Sequence, residues 1–334
     1  MTILNRGKTA ANLPAGVRRL YADHTDSGQL RTALGHAEFD YVYDISAYQP
    51  EDVQSMVDLL RGRVGHYVFA SSTVIYAAAN VLPITEEHSV DRGENQWAYA
   101  INKLACEDIL VREYRQHGFP ATIVCFSMVF GPHNLIPDRE QRMFVRLFHG
   151  RPALIPGDGT TLGQIGHVYD EARALRMMMQ NTKTFGRRYN LTGADVYTDE
   201  GYVDTFAEVL GVQARKVFVP AEIMNDLYTL RMPFGESSME KVPDAALGGY
   251  TRMAQLFQLQ KIMQRCAPNI HGWNRNVFFS IERLKRDVGW EPHFTFRSAV
   301  EQTWEWMRAE RLHETLNFDF EIEDDLIKRL GVTN

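Results

Sequence analysis

Apolar and polar positions alternate along the first 126 residues in two rhythms. Thr2 to Asn5, Val17 to Ala22, Phe39 to Ile45, His66 to Ala70 and Ala121 to Phe126 are short apolar runs. Several are rich in β-branched and aromatic residues, and polar residues or glycine stop them, which predicts strands. Ser27 to Leu34, Pro50 to Leu60 and Trp97 to His117 instead carry helical spacing. In the second of these Val53, Met56, Val57 and Leu60 share one face. Pro50 near the start, with Glu51 and Asp52 in the first turn, marks its N-terminus. Gly118 closes the third. Strand and helix in alternation predict βαβ units: an α/β fold with a doubly wound, mostly parallel sheet. The shortness and apolarity of the strands fit a sheet covered on both faces.

The second half is less regular. Gly157-Asp158-Gly159 is a turn, His167 to Met179 and Thr198 to Leu210 are helices, and Arg188 to Leu191 and Lys216 to Val219 are strands. Residues 232–276 have no clean period and read as an irregular insert or lid. Ile281 to Val288 and Phe296 to Leu312 are helices. On the latter, Trp304 and Trp306 cannot both face a core. The acidic, amphipathic tail from Phe318 to Leu330 is expected to be solvated and lightly docked.

Composition narrows the picture. The 334 residues are 45% hydrophobic and 23% charged, as in an ordinary globular protein. No apolar run approaches the ~20 residues of a membrane span, and no secretory signal is seen, so neither a membrane nor export is expected. A net charge of −6 argues against a general nucleic-acid binder. The three cysteines are scattered, without CxxC spacing, so no zinc site or disulfide framework is supported and a cytoplasmic location is the default. His167 with Asp170 reads as structural hydrogen bonding rather than a metal pair, and Met177-Met178-Met179 as core.

A dinucleotide-binding unit normally opens with a strand, a glycine-rich loop and a helix, so that backbone N–H groups meet a pyrophosphate. No such loop occurs in the chain. In the strand order 3-2-1-4-5-6 the first strand is central. Without it, the second strand parts from the fourth and two edges lie open. A start placed downstream of the true one, a sheet rearranged or completed by another chain, and a loosely held strand pair all remain open.

The candidate chemistry lies further on. The strand ending at Ala70 runs into Ser71-Ser72, and Tyr99-Ala100-Ile101-Asn102-Lys103 is a YxxxK. Tyr99 and Lys103 share a helix face. A serine at the carboxyl end of a strand stands where doubly wound sheets bind ligands. A free phenol has a pKa near ~10, and an adjacent ammonium lowers it. Tyr99 can then exchange a proton with a secondary alcohol while hydride moves to or from a nicotinamide. YxxxK alone is a common chance pattern; its order after a strand and a serine pair gives it weight.

Taken together, LNRG (Leu4 to Gly7), YADHTD (Tyr21 to Asp26), FDYVYDISAY (Phe39 to Tyr48), YVFASSTVIY (Tyr67 to Tyr76), PITEE (Pro83 to Glu87) and WAYAINKLACE (Trp97 to Glu107) form an ordered set. VFGP (Val129 to Pro132), GDG, HVYDEARA (His167 to Ala174) and YNLTG (Tyr189 to Gly193) continue it. The chain resembles the extended short-chain dehydrogenase/reductase superfamily in its NAD-dependent epimerase/dehydratase branch. The resemblance implies a Rossmann-like cofactor domain over 1–130 with help from 160–195. A substrate domain with an irregular lid would take 131–159 and 196–312, and an acidic tail 313–334. It implies Ser72, Tyr99 and Lys103 as catalytic residues. Arg6, Asp23, Ser46 and Ser71, with Tyr99 and Lys103, would bind the cofactor, and Thr73, His133 and Asn134 the substrate. Arg6 resembles positions that meet a 2′-phosphate, so NADP is favoured over NAD, with no metal.

Departures limit the assignment. Thr73 and Val74 stand where sugar 4,6-dehydratases carry Asp-Glu, which disfavours water elimination. Cys125 and Gln164 stand where an Arg is frequent. The function implied is NAD(P)-dependent chemistry of epimerase or reductase type on a secondary alcohol or ketone of a small molecule, a sugar or nucleotide-sugar among the candidates, without nucleic acid. A homodimer is a family expectation. The rival is a non-catalytic binding or scaffold protein on a degenerate version of the fold, as in chloroplast stem-loop-binding relatives.

Overall fold

Short apolar strands and capped helices alternate in the computed structural model, which describes residues 1–8, 13–134, 139–228 and 272–331. The chain opens with β1 (Thr2–Asn5), β2 (Arg18–Tyr21), α1 (Ser27–Leu34), β3 (Phe39–Asp44), α2 (Pro50–Leu60), β4 (Val64–Ser72), α3 (Ala98–His117) and β5 (Ala121–Phe126). It continues through β6 (Met128–Phe130), α4 (Glu140–Phe148), β7 (Ala153–Pro156), β8 (Leu162–Gly163), β9 (Ile165–His167), α5 (Val168–Met178), β10 (Arg188–Leu191) and β11 (Tyr197–Thr198). Then come α6 (Asp199–Leu210), β12 (Lys216–Val219), α7 (Ala221–Tyr228), α8 (Glu282–Val288), α9 (Phe296–Ala309), α10 (Leu312–Thr315) and α11 (Glu321–Arg329). Most of the insert expected at 232–276 lies outside the described residues.

Two compact units emerge. The first comprises Met1–Ser127, Glu171–Leu191 and Ser280–Glu291, and the second Met128–Asp170, Thr192–Phe279 and Pro292–Asn334.

In the first unit four strands lie in the order β10-β5-β4-β3, all parallel. β4 runs past the expected stop at Ala70, because Ser71 and Ser72 stay paired with Cys125 and Phe126 of β5. β1 and β2 form a separate parallel pair, so among the described residues β3 ends its sheet and β1 bonds to β2 alone. Helix starts follow local chemistry. The Asp26 carboxylate caps α1 by accepting the Gly28 and Gln29 N–H groups. Gln49 and Asp52 form a capping box at α2, with Pro50 in its first turn. Gly118, at φ 65°, ends α3 in the left-handed conformation that a side chain resists. On one sheet face Val68, Val124, Met178, Leu191 and Leu284 enclose Trp290, which is fully buried.

The second unit holds three two-stranded pairs: β6 with β9, β7 with β12, and β8 with β11. Phe130, Phe144, Phe206 and Phe296 meet edge-to-face or tilted in its core. Trp304 is buried there and Trp306 only partly. The expected 296–312 helix stops at Ala309; Arg311 takes a left-handed turn and α10 follows. The tail corrects the expectation of light docking. Glu323 on α11 is 1% exposed and lies between the buried guanidinium groups of Arg142 and Arg146, at 2.7 and 3.1 Å. Phe320, Leu326 and Ile327 are buried beside it. The acidic tail thus carries the counter-charge for two arginines rather than a solvated surface.

Candidate active site

β4 and α3 carry the three candidate side chains, Ser72, Tyr99 and Lys103, within the first unit. Ser72 ends β4, and its Oγ accepts the Val74 N–H at 3.4 Å, opening a short 3₁₀ turn. On α3 the face turned inward carries Ala100, Lys103, Leu104, Glu107 and Leu110, so two charged residues occupy core positions. Lys103 is 2% exposed, and its Nζ donates to the carbonyl oxygens of Ala47 and Ala70, both at 2.7 Å. The ammonium also lies 4.8 Å from the Phe69 ring centre, 4.9 Å from that of Tyr48 and 5.6 Å from that of Tyr99. Burial pulls its pKa below the ordinary lysine value. Tyr99 is 38% exposed and leans on Tyr48, ring centres 5.9 Å apart. A buried cation thus sits beneath an accessible phenol, one helical turn away, with a serine at the adjoining strand end.

The other expected residues fall in several places. Ser46, just past β3, is exposed, and its N–H donates to Asp44 Oδ1 at 3.3 Å. Ser71 is buried and its hydroxyl donates to Glu107 at 2.5 Å, so its side chain faces the helix and not a ligand. Thr73 is fully buried and opens the short 3₁₀ turn that follows Ser72. Arg6 and Asp23 come together at 3.7 Å. The Thr25 backbone N–H and hydroxyl hold the Asp23 carboxyl below its usual range. His133 and Asn134 belong to the second unit. The His133 ring packs 5.0 Å from Trp306, and the Asn134 amide donates to Glu140 at 2.8 Å. Gln164 braces the second unit: its amide donates to the Gly193 carbonyl at 2.7 Å, and it accepts the Phe279 N–H at 2.8 Å. His167 bonds Gln302 at 3.0 Å, while Asp170 accepts the N–H groups of His293 and Phe294, so both hold the second unit together.

Glu107 and Arg188 were not anticipated. The signal available was the continuation of Tyr99 and Lys103 at the same four-residue spacing, with a carboxylate on an otherwise apolar face.

The groups suited to a nicotinamide ribose are present in Tyr99 and Lys103, and among the described residues the Lys103 ammonium donates two hydrogen bonds, both to carbonyl oxygens. The starts of α1 and α2 are no open pyrophosphate cradle, because the Asp26 and Asp52 carboxylates accept backbone N–H groups there. Among the described residues no three His, Cys, Asp or Glu side chains gather to hold a metal, and no helix is long and apolar enough to cross a membrane.

The family model for the NAD dependent epimerase/dehydratase family matches residues 1–192. A chloroplast stem-loop binding protein of 41 kDa from Arabidopsis thaliana is 29% identical over 333 residues, 96% of this chain and 72% of that protein. A dTDP-glucose 4,6-dehydratase of Salmonella typhimurium is 24% identical over 212 residues, 63% of this chain but only 47% of the enzyme. Among solved structures, UDP-glucose 4-epimerase of Thermotoga maritima, with UDP-glucose, superposes with a TM-score of 0.68 at 16% identity. That superposition covers 93% of this chain and 91% of the epimerase, and at such identity it speaks for the fold alone.

Proposed function

The chain belongs to the NAD dependent epimerase/dehydratase family, and from that premise we propose that it oxidises or reduces a secondary alcohol or ketone carbon of a sugar-like small molecule. The observation that supports this most directly is Lys103, buried beneath Tyr99 and held by two backbone carbonyls. A nicotinamide cofactor, when bound, supplies or accepts the hydride. Tyr99 moves the proton at its phenol oxygen, taking it from the carbinol in one direction and returning it in the other. Lys103 favours the phenolate by its charge and offers an N–H to a ribose hydroxyl. Ser72 donates to the reacting oxygen. Water elimination is not part of the reading, because Thr73 and Val74 supply no acid/base pair. NADP is preferred over NAD through Arg6, whose charge Asp23 shares. Nucleotide-sugars are the first substrate class to try.

The test is turnover of the cofactor with a panel of nucleotide-sugars, measured by nicotinamide absorbance. Tyr99→Phe is expected to lower kcat by about 10²–10⁴-fold with the circular dichroism spectrum unchanged. Activity equal to wild type in that variant would remove Tyr99 from the mechanism. Arg6→Ala is expected to raise KM for NADP by about tenfold and leave KM for NAD within twofold; equal effects on both would remove the 2′-phosphate contact.

A second reading has one observation behind it: the relative matched over 96% of the chain is named for binding stem-loops. On that reading the fold serves as a non-catalytic binder. A fluorescent RNA hairpin separates the two. Saturable binding that weakens steeply with salt, together with no NADPH fluorescence change, favours the second; the net charge of −6 weighs against it.

A further inference from the structure

Four polar side chains in the first unit converge beside the Ser-Tyr-Lys group without belonging to it. Glu107 Oε1 accepts the Ser71 hydroxyl at 2.5 Å and lies 3.7 Å from the Cys125 thiol, which also points to it. Its other oxygen, Oε2, accepts Arg188 Nε at 2.8 Å and the Arg188 Nη2 as well. Glu107, Ser71 and Cys125 are all buried. Each partner comes from a different strand: Ser71 from β4, Cys125 from β5 and Arg188 from β10.

We infer that Glu107 is a positioning residue: its carboxylate ties the strand that carries Ser72 to the helix that carries Tyr99 and Lys103. This rests on the reading of those three as the reacting group. Tyr99, Lys103 and Glu107 follow at four-residue intervals, so a bond at Glu107 sets the rotation and slide of the helix face that presents the other two. Ser71 precedes Ser72, and both are held in register against Cys125 and Phe126. The Ser71–Glu107 bond therefore sets the separation of Ser72 from Tyr99. Lys103 pins the same helix one turn earlier through the Ala70 carbonyl, again on β4. Arg188 pairs with the carboxylate that accepts from Ser71. A misplacement of the order of 1 Å between reacting groups costs about 10²-fold in rate, which makes such a clamp consequential.

Two variants test it. Ser71→Ala removes the clamp bond and leaves the Glu107–Arg188 pair intact. It is expected to lower kcat about 10- to 100-fold with KM for cofactor and substrate within twofold. Cys125→Ala, which removes only the long thiol contact, is expected to stay within twofold. Glu107→Gln removes the charge. The charges of Cys106, Asp44, Cys125 and Glu107 all raise the Lys103 pKa against burial, and the Tyr48 and Tyr99 rings lie beside its ammonium. In ¹⁵N-lysine NMR of the full chain, Lys103 is expected to titrate lower in Glu107→Gln than in wild type. Wild-type kcat in Ser71→Ala, or an unmoved Lys103 titration in Glu107→Gln, overturns the assignment. Should Tyr99→Phe keep its activity, it is the mechanistic reading that fails, and the Lys103 titration still judges whether Glu107 acts on the group.

Discussion

Asp199 is a buried carboxylic acid. It is 3% exposed, and among the described residues neither carboxylate oxygen has a hydrogen-bond donor. Burial pushes its pKa from 3.8 up to about 7. Its folded form therefore holds a proton that the unfolded chain gives up between about pH 4 and 7, and stability falls as pH rises through that window. Above it the penalty is complete, up to about 4 kcal/mol for a shift of that size. Asp199→Asn is expected to flatten the fall between pH 4 and 7 and to raise the melting temperature above pH 7. A variant whose pH profile of melting parallels wild type would place the titration elsewhere. Asp199 was not legible in the sequence, and Glu107 only as a carboxylate that continues the Tyr99–Lys103 spacing. Both are polar residues on helices whose neighbours look amphipathic, and only the fold reveals that they point inward. Tyr99, Lys103 and Ser72 were legible because their chemistry depends on spacing and order, which a linear chain displays.

Elements were read well where punctuation was strong. β1, α1, α2, β5, β10 and β12 occupy the residues expected, because capping residues, proline, glycine or a change of polarity mark their ends. α4 and β7 were not read. α4 buries Glu140, Gln141, Arg142 and Arg146 alongside Phe144, Val145 and Leu147, so its inward face carries charges and its hydrophobic rhythm is masked. The same arginines account for the misread tail, since Glu323 is buried only because they are. Removing one member of such a group leaves the others charged in a dry site. Glu323→Ala is expected to cost about 3–5 kcal/mol in urea unfolding, whereas Asp325→Ala on the exposed side of α11 should stay within about 0.5 kcal/mol. Similar midpoints for the two would mean that Arg142 and Arg146 find other compensation.

At the scale of the whole molecule, the sequence left the arrangement of the first strands open, and among the described residues β1–β2 forms a pair apart from β10-β5-β4-β3. Strand order did not foretell the attachment either. The pair is joined to the rest of its unit through α1 and through His24, 3.5 Å from Asp52 on α2. Two strands alone are marginal in water. Amide exchange in residues 2–5 and 18–21 is therefore expected to outrun that in 64–72 and 121–126 by several orders of magnitude. Comparable protection would mean that β1–β2 unfolds together with the large sheet. The first unit is assembled from three separate stretches of chain.

That discontinuity has a temporal side. Trp290 is the last large side chain to enter the core formed by Val68, Val124 and Leu191. On a ribosome adding about 5–20 residues each second, β4 and β5 emerge roughly 10–30 s before it does. Throughout that interval one sheet face has no tryptophan to cover it, and a nascent chain in that state is a natural client for a holding chaperone. A fragment that stops short of residue 280 makes the same condition permanent.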